Sequence, residues 1–168
     1  MSKLNFLLFL GGIVSLTLIA TFLFGLGSSG AKQPLEFNHK IHAENGLDCV
    51  DCHQHFKEHS ASGRPSLEIC SDCHSEPLGK SETEKALQQY ILKGEEIPWK
   101  RLYRVPEDVY FSHKRHVVIG GLECKSCHGD IGERAKPPSR PLIKITMKRC
   151  MDCHEEKAVA NDCIACHR

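Results

Sequence analysis

All ten cysteines of this 168-residue chain fall into five copies of one pattern. That pattern limits the fold more than any other feature. The copies are Cys49-Val50-Asp51-Cys52-His53, Cys70-Ser71-Asp72-Cys73-His74, Cys124-Lys125-Ser126-Cys127-His128, Cys150-Met151-Asp152-Cys153-His154 and Cys163-Ile164-Ala165-Cys166-His167. Two thiols at this spacing can form thioethers to both vinyl groups of one haem, and the histidine that follows reaches the iron from the proximal side. A zinc cluster uses paired cysteines but does not require a histidine after each pair. A disulfide framework in an exported chain makes no such demand either. Histidine in all five places selects haem attachment over both, and the expected cofactor is five covalently bound haem c.

Five macrocycles change what the rest of the chain can do. Residues 32–168 are enough for one small domain. With only 7% aromatic residues, such a domain cannot surround five haems and also build an ordinary aliphatic core. The macrocycles should be most of the buried apolar material. A mostly irregular and α-helical multihaem cytochrome c domain, organised around a haem stack, is therefore expected. The formal charge of +1 understates the acidity of the holoprotein, because each haem adds two propionates. The 22 Lys and Arg residues serve as counter-charges, and nucleic acid is not an expected partner.

The N-terminus runs apolar from Phe6 to Leu26, with Lys3 before it and Gly27-Ser28-Ser29-Gly30-Ala31 after it. Such a run is long enough to span a bilayer as one transmembrane helix and exceeds the apolar core of a cleaved signal peptide. Residues 1–31 are expected to be a retained anchor and linker, although Ser29-Gly30-Ala31 would also suit a signal peptidase. Either reading sends the remainder out of the cytoplasm. The expected location is the inner membrane, single-pass, with the haem domain on the periplasmic face and the amino terminus inside.

Two segments repeat. Phe37-Asn38-His39-Lys40-Ile41-His42 precedes Cys49, and Phe111-Ser112-His113-Lys114-Arg115-His116 precedes Cys124. The pentahaem domain 32–168 thus divides into a module at 33–79 with haems I and II, and a module at 105–168 with haems III to V. Between them a helix is predicted over 81–94. Ser81 and Glu84 form a capping-box pattern, Ala86, Leu87, Tyr90 and Ile91 an apolar stripe, and Gly94 the stop. Ile97-Pro98-Trp99 then turns the chain into an extended crossing.

Electron-transfer haems are usually six-coordinate. Beyond the proximal His53, His74, His128, His154 and His167, six histidines remain: His39, His42, His55, His59, His113 and His116. All six lie in tight clusters, as ligation would require. Within each repeat the two histidines are three apart, so one helical turn puts both on one face. His39 is assigned to haem I and His113 to haem III, while His42 and His116 cross to other haems. His55 or His59 is expected at haem II. Met147, three residues before Cys150, is a rival ligand that would raise its haem's potential, or else an apolar contact.

The Phe-x-His-x-x-His arrangement before Cys-x-x-Cys-His resembles the class III multihaem cytochromes c. The second half resembles more closely the pentahaem subunit of alternative complex III and the related multihaem subunit of menaquinone reductase. The residues that carry this are Ile97-Pro98-Trp99, Val109-Tyr110-Phe111-Ser112-His113 through His116-Val117, Cys127-His128-Gly129, and Met147 before Cys150. The resemblance implies a relay inside a membrane complex, beside a polytopic quinone-binding subunit and an iron–sulfur subunit. A periplasmic carrier or oxidase would be a further partner. The menaquinone reductase subunit would be expected to carry a sixth haem, and Arg149 stands where an aromatic residue would be expected.

The expected function is electron relay within a quinone-linked respiratory complex, with no catalytic site of its own. A self-sufficient membrane quinol dehydrogenase feeding a periplasmic reductase is the alternative. A multihaem reductase would need an open iron position, which five proximal histidines and six further ones do not advertise. The mature protein should retain residues 1–31 and carry the added mass of five haems. Intact-mass measurement checks both, and a chain beginning near Lys32 would remove the anchor.

Overall fold

The computed structural model describes Asn5, residues 11–17 and 19–20, and residues 30–167. Most of the apolar run Phe6–Leu26 lies outside the described residues, and its described parts, 11–17 and 19–20, are helical. Among the described residues, no helix is long and apolar enough to cross a membrane. The chain forms two compact units, Met1–Gly30 and Ala31–Arg168, and the second holds every cysteine motif.

That second unit is built from short helices separated by irregular chain. In order they are α1 (His39–Glu44), α2 (Cys49–Cys52), α3 (Leu67–His74), α4 (Glu82–Lys93), α5 (Lys125–His128), α6 (Met147–Glu156) and α7 (Cys163–Cys166). A wide turn of π type spans Lys114–Ile119, and single 3₁₀ turns occupy His55–Lys57 and Ile131–Glu133. Each cysteine motif lies on or at the edge of a helical turn, which sets its two sulfurs on one side. Local caps start several of these turns. Asp162 accepts from the Ala165 amide at 3.0 Å, and Thr146 accepts from the Arg149 amide at 3.3 Å.

Helix α4 has regular caps at both ends. Ser81 Oγ accepts from the Glu84 amide at 3.1 Å, and Gly94 ends the helix at φ 65°, where a side chain would be strained. The Glu84 carboxylate does not complete the capping box that the sequence suggests; its acceptor oxygen is used elsewhere. The apolar stripe of α4 packs where its spacing directs it. Leu87 joins Leu35, Leu67 and Ile97 in a small buried cluster, with Ala86, Tyr90, Ile91, Cys70 and Trp99 around it. Those four are the buried hydrophobic residues among the described ones. The aliphatic core of the described residues is therefore small.

The crossing after α4 is not simply extended. The Trp99 amide donates to the Ile97 carbonyl at 2.7 Å, a tight turn centred on Pro98. Gln33 then grips Lys100 at both backbone groups, donating to its carbonyl at 3.0 Å and accepting from its amide at 2.9 Å. The chain's last motif returns to the second repeat, where the Tyr110 amide donates to the Cys166 carbonyl at 2.7 Å and Val109 bridges His167.

Leu87→Ala should lower unfolding stability by about 2–5 kcal/mol, because it opens a cavity in the small cluster. Leu92→Ala, at a side chain on the same helix that is 77% exposed, should change it by less than about 0.5 kcal/mol. Denaturant titration of the two variants checks the contrast.

Candidate haem-binding sites

The fold brings imidazoles together in pairs. His42 faces His74 with ring centroids 6.2 Å apart, His113 faces His128 at 6.2 Å, and His116 faces His154 at 6.1 Å. The His113 and His128 rings are almost parallel, at 8°. An atom bonded to Nε2 of both rings, at a metal–imidazole bond of about 2.0–2.1 Å, sets centroids about 6 Å apart. Each pair joins a motif histidine to a histidine from one of the two repeats. His39 lies near both His53 and His42, whose charges oppose its own, and His53 in turn lies near His113. Burial, and then the charges of His53 and His42, push the His39 imidazole down to about 4. It is neutral at ordinary pH, as a metal ligand must be.

The two repeats are alike down to side-chain packing. Phe37 stacks on His42 at 4.4 Å and meets His39 edge-on at 4.7 Å. Phe111 stacks on His116 at 4.8 Å and meets His113 edge-on at 4.8 Å. His42 Nδ1 is held by the Asn38 carbonyl at 2.7 Å, and His116 Nδ1 by the Ser112 carbonyl at 2.8 Å. Holding Nδ1 leaves Nε2 free for a metal and fixes the ring's orientation.

Other imidazoles are held in the same way. Carbonyl oxygens engage Nδ1 of His154 (Ala160, 2.7 Å), His113 (Ser60, 2.9 Å) and, at a longer 3.4 Å, His53 (Gly63). Two proximal histidines meet carboxylates instead. His74 Nδ1 lies 3.0 Å from Glu84 Oε1, and His167 Nδ1 lies 3.0 Å from Asp108 Oδ2. Burial alone would push the Glu84 carboxyl up. Hydrogen bonds from His74, the Leu78 amide and Gln88, with the His74 charge, outweigh it and hold the group below its ordinary range.

The motifs adjoin one another in a definite order. Burial raises the thiols of Cys70, Cys52, Cys49, Cys127 and Cys150, and neighbouring thiols raise them further. Cys70 is affected by Cys52, Cys49 by Cys124, Cys127 by Cys153, and Cys150 by both Cys127 and Cys166. Numbered by position in the chain, the second motif thus adjoins the first, the first the third, the third the fourth and the fourth the fifth.

Two placements differ from the sequence expectations. The ring facing His74 is His42, whereas His55 and His59 face each other at 5.7 Å and are exposed. His55 or His59 had been expected at the second motif; the helix α1 brings His42 there instead. Met147 is 62% exposed at the start of α6, and the ring facing His154 is His116. Three residues that touch the motif histidines carry no sequence signal of that role. Glu84 looks like a capping residue, and Asp108 lies in an unremarkable loop. Tyr103 packs edge-on against His128 at 4.3 Å, donates to the His128 carbonyl at 3.2 Å and accepts from the Leu142 amide at 3.0 Å.

The donor set suits haem c. Each motif supplies two thiols and an imidazole, and the facing rings leave room for one metal atom. Two buried nitrogens, His39 Nδ1 and Trp99 Nε1, have no hydrogen-bond partner among the described residues. Buried donors are normally satisfied, so acceptor groups from a bound molecule are expected beside them. The fold and these sites define a multihaem c-type cytochrome.

Comparison with known proteins agrees. The profile of the class III cytochrome C family matches residues 25–97, and that of cytochrome c7 and related cytochrome c matches residues 109–168. The chain is also similar to the menaquinone reductase, multiheme cytochrome c subunit, of Nitratidesulfovibrio vulgaris strain Hildenborough. The two are 30% identical over 165 residues, covering 83% of this chain and 79% of that protein. The chain belongs to the class III multihaem cytochromes c, electron-transfer proteins with covalently bound haem c.

Replacing His42, His113 or His116 singly by Ala should change the ligand-field spectrum of one haem and leave the number of attached haems unchanged. Electron paramagnetic resonance with intact-mass measurement checks this. A spectrum identical to wild type would remove that histidine from the ligand set.

Proposed function

We propose that this protein is a five-haem electron relay, anchored in the inner membrane by Phe6–Leu26 and working on the periplasmic face within a quinone-linked respiratory complex. The observation that carries the reading is the spacing of the imidazole pairs, 6.1–6.2 Å between ring centroids, repeated at sites that adjoin one another. Haem c supplies one-electron transfer at each site. His39 is assigned to His53, His42 to His74, His113 to His128 and His116 to His154, while His55 lies against Gly63, beside the first motif, and faces His59. The paired imidazoles favour a relay over a reductase, which needs an open iron position.

The similarity to a menaquinone reductase subunit supports quinone as the electron partner at the membrane. The single apolar segment supports a division of labour. A quinol needs a pocket at membrane depth with groups that take up its protons. Phe6–Leu26 offers only Ser15, Thr17 and Thr21, and the Thr17 hydroxyl already donates to the Val14 carbonyl at 2.9 Å. A polytopic quinone-binding subunit therefore supplies the pocket. An iron–sulfur subunit and a periplasmic carrier or oxidase are the further partners.

Detergent-extracted protein alone should be reduced slowly and without saturation by a menaquinol analogue. The co-purifying membrane subunit should restore rapid, saturable reduction. Stopped-flow absorbance of the haems measures both. Rapid, saturable reduction of the lone cytochrome would instead establish a self-sufficient quinol dehydrogenase.

A further inference from the structure

The duplication provides a comparison within one molecule. The second and fourth motifs occupy equivalent places in the two repeats. On the repeat side their histidines are held alike, His42 by a carbonyl at 2.7 Å and His116 by a carbonyl at 2.8 Å, each stacked on a phenylalanine. On the motif side they differ. His154 Nδ1 meets a backbone carbonyl, at Ala160, whereas His74 Nδ1 meets the carboxylate of Glu84.

Glu84 is built into position. It is 9% exposed, and its place on α4 is fixed by the Ser81 cap. The same Oε1 accepts from the Leu78 amide at 3.2 Å and lies 3.5 Å from Gln88 Nε2. Gln88 also donates to the His74 carbonyl at 2.7 Å, so one helix holds both the ring and the backbone of this histidine. The other carboxylate pair, Asp108 with His167, is much more open, its aspartate side chain being 58% exposed. Solvent screens such a pair, and the stronger effect belongs at His74.

We infer that Glu84 is a positioning residue that acts through His74 to lower the reduction potential of the haem at Cys70 and Cys73 below that of its repeat partner at Cys150 and Cys153. An anionic acceptor draws the Nδ1 proton more strongly than a carbonyl does. The imidazole becomes a stronger donor at Nε2, and the nearby negative charge favours the more highly charged ferric state. The second motif adjoins the first, Cys70 lying beside Cys52. The neighbouring first motif has its His53 Nδ1 beside a backbone carbonyl, at Gly63, so the carboxylate also sets the haem at His74 apart from that neighbour and favours passage of an electron from the second motif to the first. This inference rests on the bis-imidazole relay proposed above.

The test is potentiometric titration of the holoprotein with the haems assigned by nuclear magnetic resonance. In the wild type, the haem at His74 should titrate below the haem at His154. Glu84→Gln should raise the former by about tenfold in its one-electron equilibrium, about 59 mV, with the other potentials little changed. Gln88→Ala loosens the same contact but keeps the carboxylate, and should produce less than half that shift. A wild-type haem at His74 that titrates at or above the one at His154 overturns the inference, even if Glu84→Gln fails to mature. So does an unshifted potential in Glu84→Gln, or an equal shift in Gln88→Ala. If the wild type carries fewer than five haems or lacks low-spin signals, the relay itself fails. Intact low-spin haems with unaltered potentials remove only the role of Glu84.

Discussion

An imidazole presents one nitrogen to a metal reliably only when its other nitrogen is held, and this protein meets that requirement repeatedly. The holders are drawn from many parts of the chain: Asn38, Ser60, Gly63, Ser112 and Ala160 through their carbonyls, Glu84 and Asp108 through carboxylates. A carbonyl has two lone pairs, and those of Ser60 and Ser112 each accept from a backbone amide as well as engaging an imidazole. The same contacts that hold these turns therefore also orient the rings.

The two repeats separate what that demand fixes from what it leaves free. Their aromatic and histidine contacts agree closely, with Phe37 and Phe111 making the same stacked and edge-on contacts to two imidazoles each. The backbones beneath differ. The first pair of histidines belongs to the α-helical turn His39–Glu44, whereas His113 stands just before the wider turn Lys114–Ile119 and His116 within it. Irregular turns of this kind are frequent at functional sites. Side-chain geometry is held in common while the local winding varies, as expected if the constraint acts through the rings.

Tight packing of sites has a cost in interior volume. Among the described residues the buried hydrophobic cluster is Leu35, Leu67, Leu87 and Ile97, at the flank where α4 meets α3. That helix does two things with adjoining parts of its surface: Leu87 closes the cluster, and Glu84 and Gln88 reach His74. The connection between the two repeats is therefore also part of a binding site.

The sequence by itself determined the chemistry. Five cysteine pairs, each followed by histidine, carry the local spacing that thioether attachment and proximal ligation of haem c require, and the caps and apolar stripe of the helix around Leu87 are local patterns of the same kind. The duplicated Phe-x-His-Lys-x-His segments were equally legible, along with the supply of second imidazoles. Tertiary structure decided which histidine faces which motif. His42 meets His74 and His116 meets His154 because folding brings distant turns together, and no spacing along the chain encodes that distance. It also decided that Glu84 serves His74 rather than its own helix end. A glutamate in a first turn can cap the helix or reach outward, and only the position of the neighbouring motif selects between them.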